Sequence, residues 1–241
     1  MRWLTTLALV ASCSANEPSH PVIPGGPGGP VGGAAADASV GDAATDGRNL
    51  QGRVCLVEDL RDISACAAMG AGNFLVSLGS NSATTQDGGE FAIAVSASST
   101  LVWRVTGSSV QTTLAPFSAA TTIPVIAAAD YQALEGDYGV LEVAGQGAIV
   151  AHVISAGTPV EKVTATTSPV GSYAALYDGA AARLWTQNST GAHGAIWIPG
   201  LPAGTVTLAV TPAGGVPQLF SQIPVAEAAL TFVTVELAAQ N

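Results

Sequence analysis

From Gly52 onward the apolar residues come in runs of about five, each closed by glycine, proline, asparagine or aspartate. Phe74–Leu78, Phe91–Val95 and Leu101–Val105 are such runs, with the turn signal Asp87-Gly88-Gly89 among them. Ala148–Ile154, Ala195–Ile198, Thr205–Val210 and Thr231–Leu237 continue the series. In the last, Val233, Val235 and Leu237 alternate with Thr234 and Glu236, the period of a strand with one covered face. Many short strands at regular spacing indicate an all-β chain built from sandwiches or barrels.

One stretch has a different period. Tyr131, Leu134 and Tyr138 fall on one face of a helix over Ala127–Tyr138, with Pro124 ahead of it and Gly139 placed to cap its end. A weak internal repeat flanks this segment. Thr84–Ile93 leads into a strand ending at Gly107, and Thr190–Ile196 leads through Ile198–Gly204 into Thr205–Thr211. The expected organisation is therefore a β-sandwich domain over residues 51–126, a helical connector over 127–138 and a second sandwich over 139–241.

The N-terminus has another character. Arg2 is followed by the apolar stretch Trp3–Val10 and then by Ala11, Ser12 and Cys13. One positive charge, a short apolar segment and small residues form the layout of a secretory signal. Val10-Ala11-Ser12-Cys13 resembles the lipobox of bacterial lipoproteins, although Thr5 and Thr6 interrupt the apolar segment. That resemblance implies a signal peptide over 1–12, cleavage before Cys13, and acylation of Cys13 on its sulfur and its new amino group. An ordinary cleaved signal is the alternative. Two or three acyl chains suffice for stable anchoring, since each buried methylene contributes about 0.8 kcal/mol. Ser14, where Gram-negative sorting rules place Asp for inner-membrane retention, directs the expectation to the outer membrane. Residues 13–50 are rich in Pro, Gly and Ala, and read as a disordered tether with a reach of about 30 Å.

Three cysteines less the acylated one leave Cys55 and Cys66. In an exported chain an even pair reads first as a disulfide and second as free thiols. A metal site lacks a nearby histidine or third cysteine.

The second half also resembles the carboxypeptidase regulatory-like, or transthyretin-like, family. The stretch "TGAHGAIWIPGLPAGTVTLAVT" over 190–211 is similar to that family's closing strands and Gly-Leu-Pro-x-Gly turn. "GAIVAHVISAGTPVEKVTAT" over 147–166 is similar to its opening strands. Gly191, Gly194, Gly200 and Gly204 fall where hairpins require positive φ or close approach. The resemblance covers about Val140 to Leu237 and is weaker over Gly52 to Val125. It implies tandem seven-stranded Greek-key sandwiches (transthyretin/prealbumin-like) in support or binding roles, with no catalytic residues to carry over.

Charge narrows the partners. Seven basic against seventeen acidic residues give a net charge of −10, which leaves no basic patch to neutralise nucleic-acid phosphates. Charged residues make up only 10% of the chain, far below the roughly 25% usual for soluble domains. No nucleophile elbow, phosphate loop, metalloprotease motif or dinucleotide fingerprint occurs. Of the three histidines, His20 lies in the tether, His193 in a predicted turn, and His152 on a strand face with Val150 and Ile154, where a satisfied structural role is expected. A His152/His193 metal pair lacks a third ligand. Glu135 and Asp137, and Asp87 and Glu90, read as solvated turn residues. No catalytic residue, metal ligand or cofactor is expected. The expected function is a non-enzymatic envelope lipoprotein that reaches the bilayer through acylated Cys13 and presents its sandwiches to a protein partner. A carbohydrate- or peptidoglycan-binding module is the alternative. It requires exposed aromatics, with Trp185 and Trp197 the candidates, and their burial would remove its support.

Overall fold

The computed structural model describes residues 48–67, 71–95, 102–117, 122–181 and 183–238. The signal peptide, Cys13, His20 and the tether up to residue 47 lie outside the described residues. The described chain is all-β with one short helix. The first half supplies β1 (Arg48–Val57), β2 (Leu75–Leu78), β3 (Asn81–Thr84), β4 (Glu90–Val95), β5 (Val102–Gly107), β6 (Val110–Pro116) and β7 (Thr122–Ile126). Helix α1 (Ala128–Asp137) follows. The second half supplies β8 (Gln146–Ser155), β9 (Thr158–Pro159), β10 (Thr164–Ser168), β11 (Leu176–Asp178) and β12 (Trp185–Thr186). It ends with β13 (Ala195–Pro202), β14 (Gly204–Thr211), β15 (Gln218–Val225) and β16 (Ala229–Glu236).

Every run singled out by its apolar pattern contributes to a strand. Strand β1 begins earlier than the sequence suggests: Arg48–Leu50, assigned above to the tether, pair antiparallel with Val95–Ile93 of β4. The reason is non-local: Arg48 and Asn49 carry no strand pattern of their own, and Leu50 alone packs on the first core, so the ladder with β4 fixes them.

Ten strands form one sheet, in the order β12-β11-β13-β8-β16-β6-β5-β2-β3 with β9 on the edge of β8. Two three-stranded sheets, β4-β1-β7 and β10-β14-β15, complete the layers. The first packs over the β2–β6 end around Phe74, Val76, Phe91, Trp103 and Val125. Phe91 and Trp103 meet edge-on at 5.4 Å, an arrangement that adds about 0.5–1.5 kcal/mol beyond area burial. The other packs over β8 and β13 around Ile149, Ile196, Val206, Leu208 and Val235. Each half therefore has its own sandwich core.

The halves are also joined, where a connector alone was expected. Strand β16 lies between β8 and β6 and runs parallel to both, so a strand of the second half completes the sheet of the first. Four consecutive residues of β16, Ala229–Phe232, are buried because both its faces and both its edges are covered there. A third core mixes the halves: Cys55, Val57, Leu60, Ile126 and Tyr131 pack against Val150, Trp185, Trp197 and Phe232. Strand β1 is shared by alternation, with Val54 facing the first core and Cys55 and Val57 facing the mixed one.

Helix α1 lies against this mixed core. Tyr131 is buried, and Leu134 and Tyr138 pack partly buried beside it, as the i, i+3, i+7 spacing requires. Gly139, at φ +64, ends the helix. Its N–H donates to the Gly136 carbonyl and that of Val140 to Glu135, the paired bonds of a Schellman motif.

Candidate functional site

The densest polar constellation lies where the halves meet. The Cys55–Cys66 disulfide forms, with Cα atoms 5.1 Å apart, and closes a loop that leaves β1 and returns to it at the Val57–Cys66 bridge. The loop carries Asp59, Leu60 and Arg61 into the second half. Leu60 is buried in the mixed core. Arg61 is only 4% exposed, and its Nη1 donates to the carbonyls of Ala181 at 2.6 Å, Gly179 at 3.3 Å and Leu184 at 3.4 Å. Its Nε donates to Asp59 Oδ1 at 2.9 Å. The guanidinium fork suits this position, since it satisfies a carboxylate and several carbonyls in one plane. Burial pushes the Asp59 carboxyl up, but the hydrogen bonds and charge of Arg61 outweigh it and hold Asp59 below the ordinary carboxylate range.

On the facing side, Asp178 is 1% exposed and accepts the N–H groups of Gly191, His193 and Ala195 at 2.8–2.9 Å. This carboxylate shapes the turn before β13. The Asp178 backbone explains Gly191, where an added Cβ would lie 2.8 Å from the Asp178 carbonyl oxygen. Beside it, His152 Nε2 lies 2.9 Å from the Leu60 carbonyl. A carbonyl only accepts, so Nε2 carries the proton. Burial pushes the imidazole below its ordinary pKa, which keeps it neutral at pH 7. The structural role expected of His152 holds, and His193 is exposed in its turn. Among the described residues no three His, Cys, Asp or Glu side chains are grouped to hold a metal ion.

A second feature departs from the sequence reading. Glu135 is not a freely solvated turn residue. It is half-buried in a cleft with Tyr131, Glu142 and Gln146, and its pKa is raised to about 7 by burial and by the Glu142 charge. Burial and the Glu135 charge push the Tyr131 phenol upward in turn. A raised carboxyl is a familiar sign of acid–base chemistry. The cleft, however, has a volume of about 20 Å³, room for about one water molecule and not for a substrate.

The tryptophans decide the glycan alternative. Trp103, Trp185 and Trp197 are 1%, 4% and 0% exposed. Trp197 is enclosed by Tyr131 and Tyr138, each at 6.1 Å, and by Trp185 at 5.9 Å. Neither Trp185 nor Trp197 presents a ring face to a sugar, and the expected support for that alternative is gone.

Sequence reasoning missed Arg61 and Asp178. The one signal for Asp178 was its position before Gly179, which reads as an ordinary turn. Arg61 had none, because the carbonyls it binds lie 118 to 123 residues away.

Among the described residues no helix is long and apolar enough to cross a membrane. No protein-family model matches the chain, and no curated protein matches it. Among solved structures, the chain is similar to GBS52, the minor pilin of the Gram-positive pathogen Streptococcus agalactiae, at 10% identity and a TM-score of 0.27. That match covers 80% of this chain and 98% of the pilin. A match to the Bacillus anthracis TIE protein has 10% identity, a TM-score of 0.26, and coverage of 80% of this chain and 34% of that one. Similarity at that level establishes neither family nor function.

Proposed function

We propose that the chain is an exported lipoprotein, acylated at Cys13, whose folded part is a non-enzymatic docking module at the cell envelope, with the outer membrane as its site. One observation carries the non-enzymatic reading. The buried polar and charged side chains of the described residues, Arg61, Thr85, Thr113, His152, Asp178, Thr190 and Thr231, all hydrogen-bond backbone groups. They are used to hold loops and strands. Chemistry needs instead at least two titratable groups converging on a cavity large enough for a substrate.

For the second half we retain the transthyretin-like reading. Its seven longer strands, β8, β10, β11, β13, β14, β15 and β16, divide into a three-stranded sheet over part of the large one, which fits the seven-stranded sandwich the motif implies. The Gly-Leu-Pro-x-Gly turn supports it further: Gly200 has φ +69 at an irregularity in the β13–β8 register, beside the Tyr173 ring.

The test is intact-mass and acyl-labelling analysis of the wild type and Cys13→Ala in a Gram-negative host. The expected result is a wild-type chain that begins at Cys13 with added lipid mass, and a variant without it. A soluble, unlipidated wild type overturns the anchored reading.

A further inference from the structure

A narrow groove of about 90 Å³ runs between α1 and the start of the disulfide loop. Its floor is apolar: Leu60, Ile126 and Trp185 are buried there, and Leu134 is half-buried. Its rim is acidic. Glu58 stands on one side, and Asp130 and Asp137 stand on the other with exposed Ala133 between them. Positions 130, 133, 134 and 137 follow the i, i+3, i+4, i+7 spacing of one helix face. Asp59 also lines the groove, but Arg61 neutralises it. Among the described residues Glu58, Asp130 and Asp137 take part in no ion pair. Among the described residues, Arg183, exposed at the rim, is the one cation lining the groove.

Helix electrostatics make the Asp137 end of this rim costly for the isolated chain, while Asp130 in the first turn is favoured. Asp137 closes α1, where the helix dipole is negative, and the last turn carries no basic residue. A cation in the groove relieves that repulsion and the mutual repulsion of the rim carboxylates. It does so over an apolar floor that suits an aliphatic stem with a charged head, the shape of a lysine or arginine side chain. A second copy of this chain is a poor source, because its net charge of −10 opposes its approach to an acidic rim.

We infer that the α1 groove docks a basic segment of a different protein, receiving a lysine or arginine side chain over Leu134 and Trp185 between Glu58, Asp130 and Asp137. The inference rests on the docking-module reading but is independent of the anchor. The groove titration below and the Cys13 mass measurement can therefore fail separately.

The experiment titrates acetylated hexalysine amide into the full-length chain by calorimetry at low and moderate salt. The decisive variant is Ala133→Lys, which places a lysine of the chain itself in the groove. The site is solvent-exposed and helical, so the substitution leaves the fold intact. Thr205→Lys, exposed on β14, makes the same charge change elsewhere. The expected result is that Ala133→Lys weakens binding roughly ten-fold or more while Thr205→Lys changes it by less than about two-fold. Arg183→Gln removes the competing cation and tightens binding. No measurable binding to the wild type, or equal weakening by both lysine substitutions, overturns the inference. In the latter case the peptide senses only the overall negative field.

Discussion

Arg61 offers the most direct test of how the two halves are held together. Arg61→Ala removes a side chain that is 3% exposed, bound to Asp59 and to the carbonyls of Gly179, Ala181 and Leu184. The Ala181 bond, at 2.6 Å, is the shortest of the carbonyl contacts and its loss should matter most. Breaking a buried charge network by deleting one partner costs about 3–5 kcal/mol. Asp59 is 26% exposed and can turn to water, which favours the lower end of that range. Against a typical total of about 5–15 kcal/mol, the expected loss is about 3 kcal/mol. It is to be measured by urea denaturation at pH 7. Arg61→Lys should recover part of the loss, because an ammonium supplies charge without the planar fork. The acid limb gives a second readout. Asp59 has a depressed pKa, so its stabilisation is present above the unfolded value near 3.8 and is lost as pH falls through the folded value. In Arg61→Ala that acid-side loss should disappear. A change below about 1 kcal/mol at pH 7, with an unaltered acid limb, would refute the idea that this residue clasps the halves.

Glu135 titrates with the opposite sign. Its folded pKa of about 7 lies above the ordinary carboxylate value of 4.5, so the fold binds its proton more tightly and stability falls as pH rises between those values. Glu135→Gln should flatten that slope and stabilise the chain at pH 8 by about 1–2 kcal/mol after allowance for solvent screening; identical slopes in chemical denaturation from pH 5 to 8 would refute this. Removing the Cys55–Cys66 link, with a sequence separation of 11, should cost about 3 kcal/mol on the loop-entropy model, seen as a lower denaturation midpoint for Cys55→Ala/Cys66→Ser or under reductant. Gly200→Ala forces a Cβ to 2.6 Å from the Tyr173 ring at φ +69, and should lower stability by about 1–3 kcal/mol by thermal melting.

The sequence disclosed what is local in this fold. Strands with apolar runs, such as β5, β8 and β16, were legible because burial on one or both faces writes itself into consecutive residues. Helix α1 was legible from three side chains and a glycine. Polar strands were not. The sequence Asn81–Thr84 of β3 alternates only between half-buried and exposed positions, and β10 is mostly threonine at a sheet edge. Their ladders come from partners far along the chain. The disulfide followed from a count of cysteines, yet the loop it closes had no visible purpose until Arg61 met the carbonyls at Gly179–Leu184. Likewise the tryptophan question turned on burial, which depends on how Tyr131, Tyr138, Trp185 and Trp197 converge from α1, its C-cap, β12 and β13.

Under the proposed export, the position of β16 bears on how the chain would leave the cell. This strand follows all the others in sequence, yet it sits between β8 and β6 and supplies the hydrogen-bonding edge that each requires. As the polypeptide is delivered from its N-terminus, the first core can collect its own strands, but the second core, which takes Val235 from β16, and the common sheet both stay open until residues 229–236 arrive. Such late closure raises the fraction of distant contacts and slows folding. Under that proposed export, slowness would be useful: the interlocked form is postponed until the whole length has been delivered.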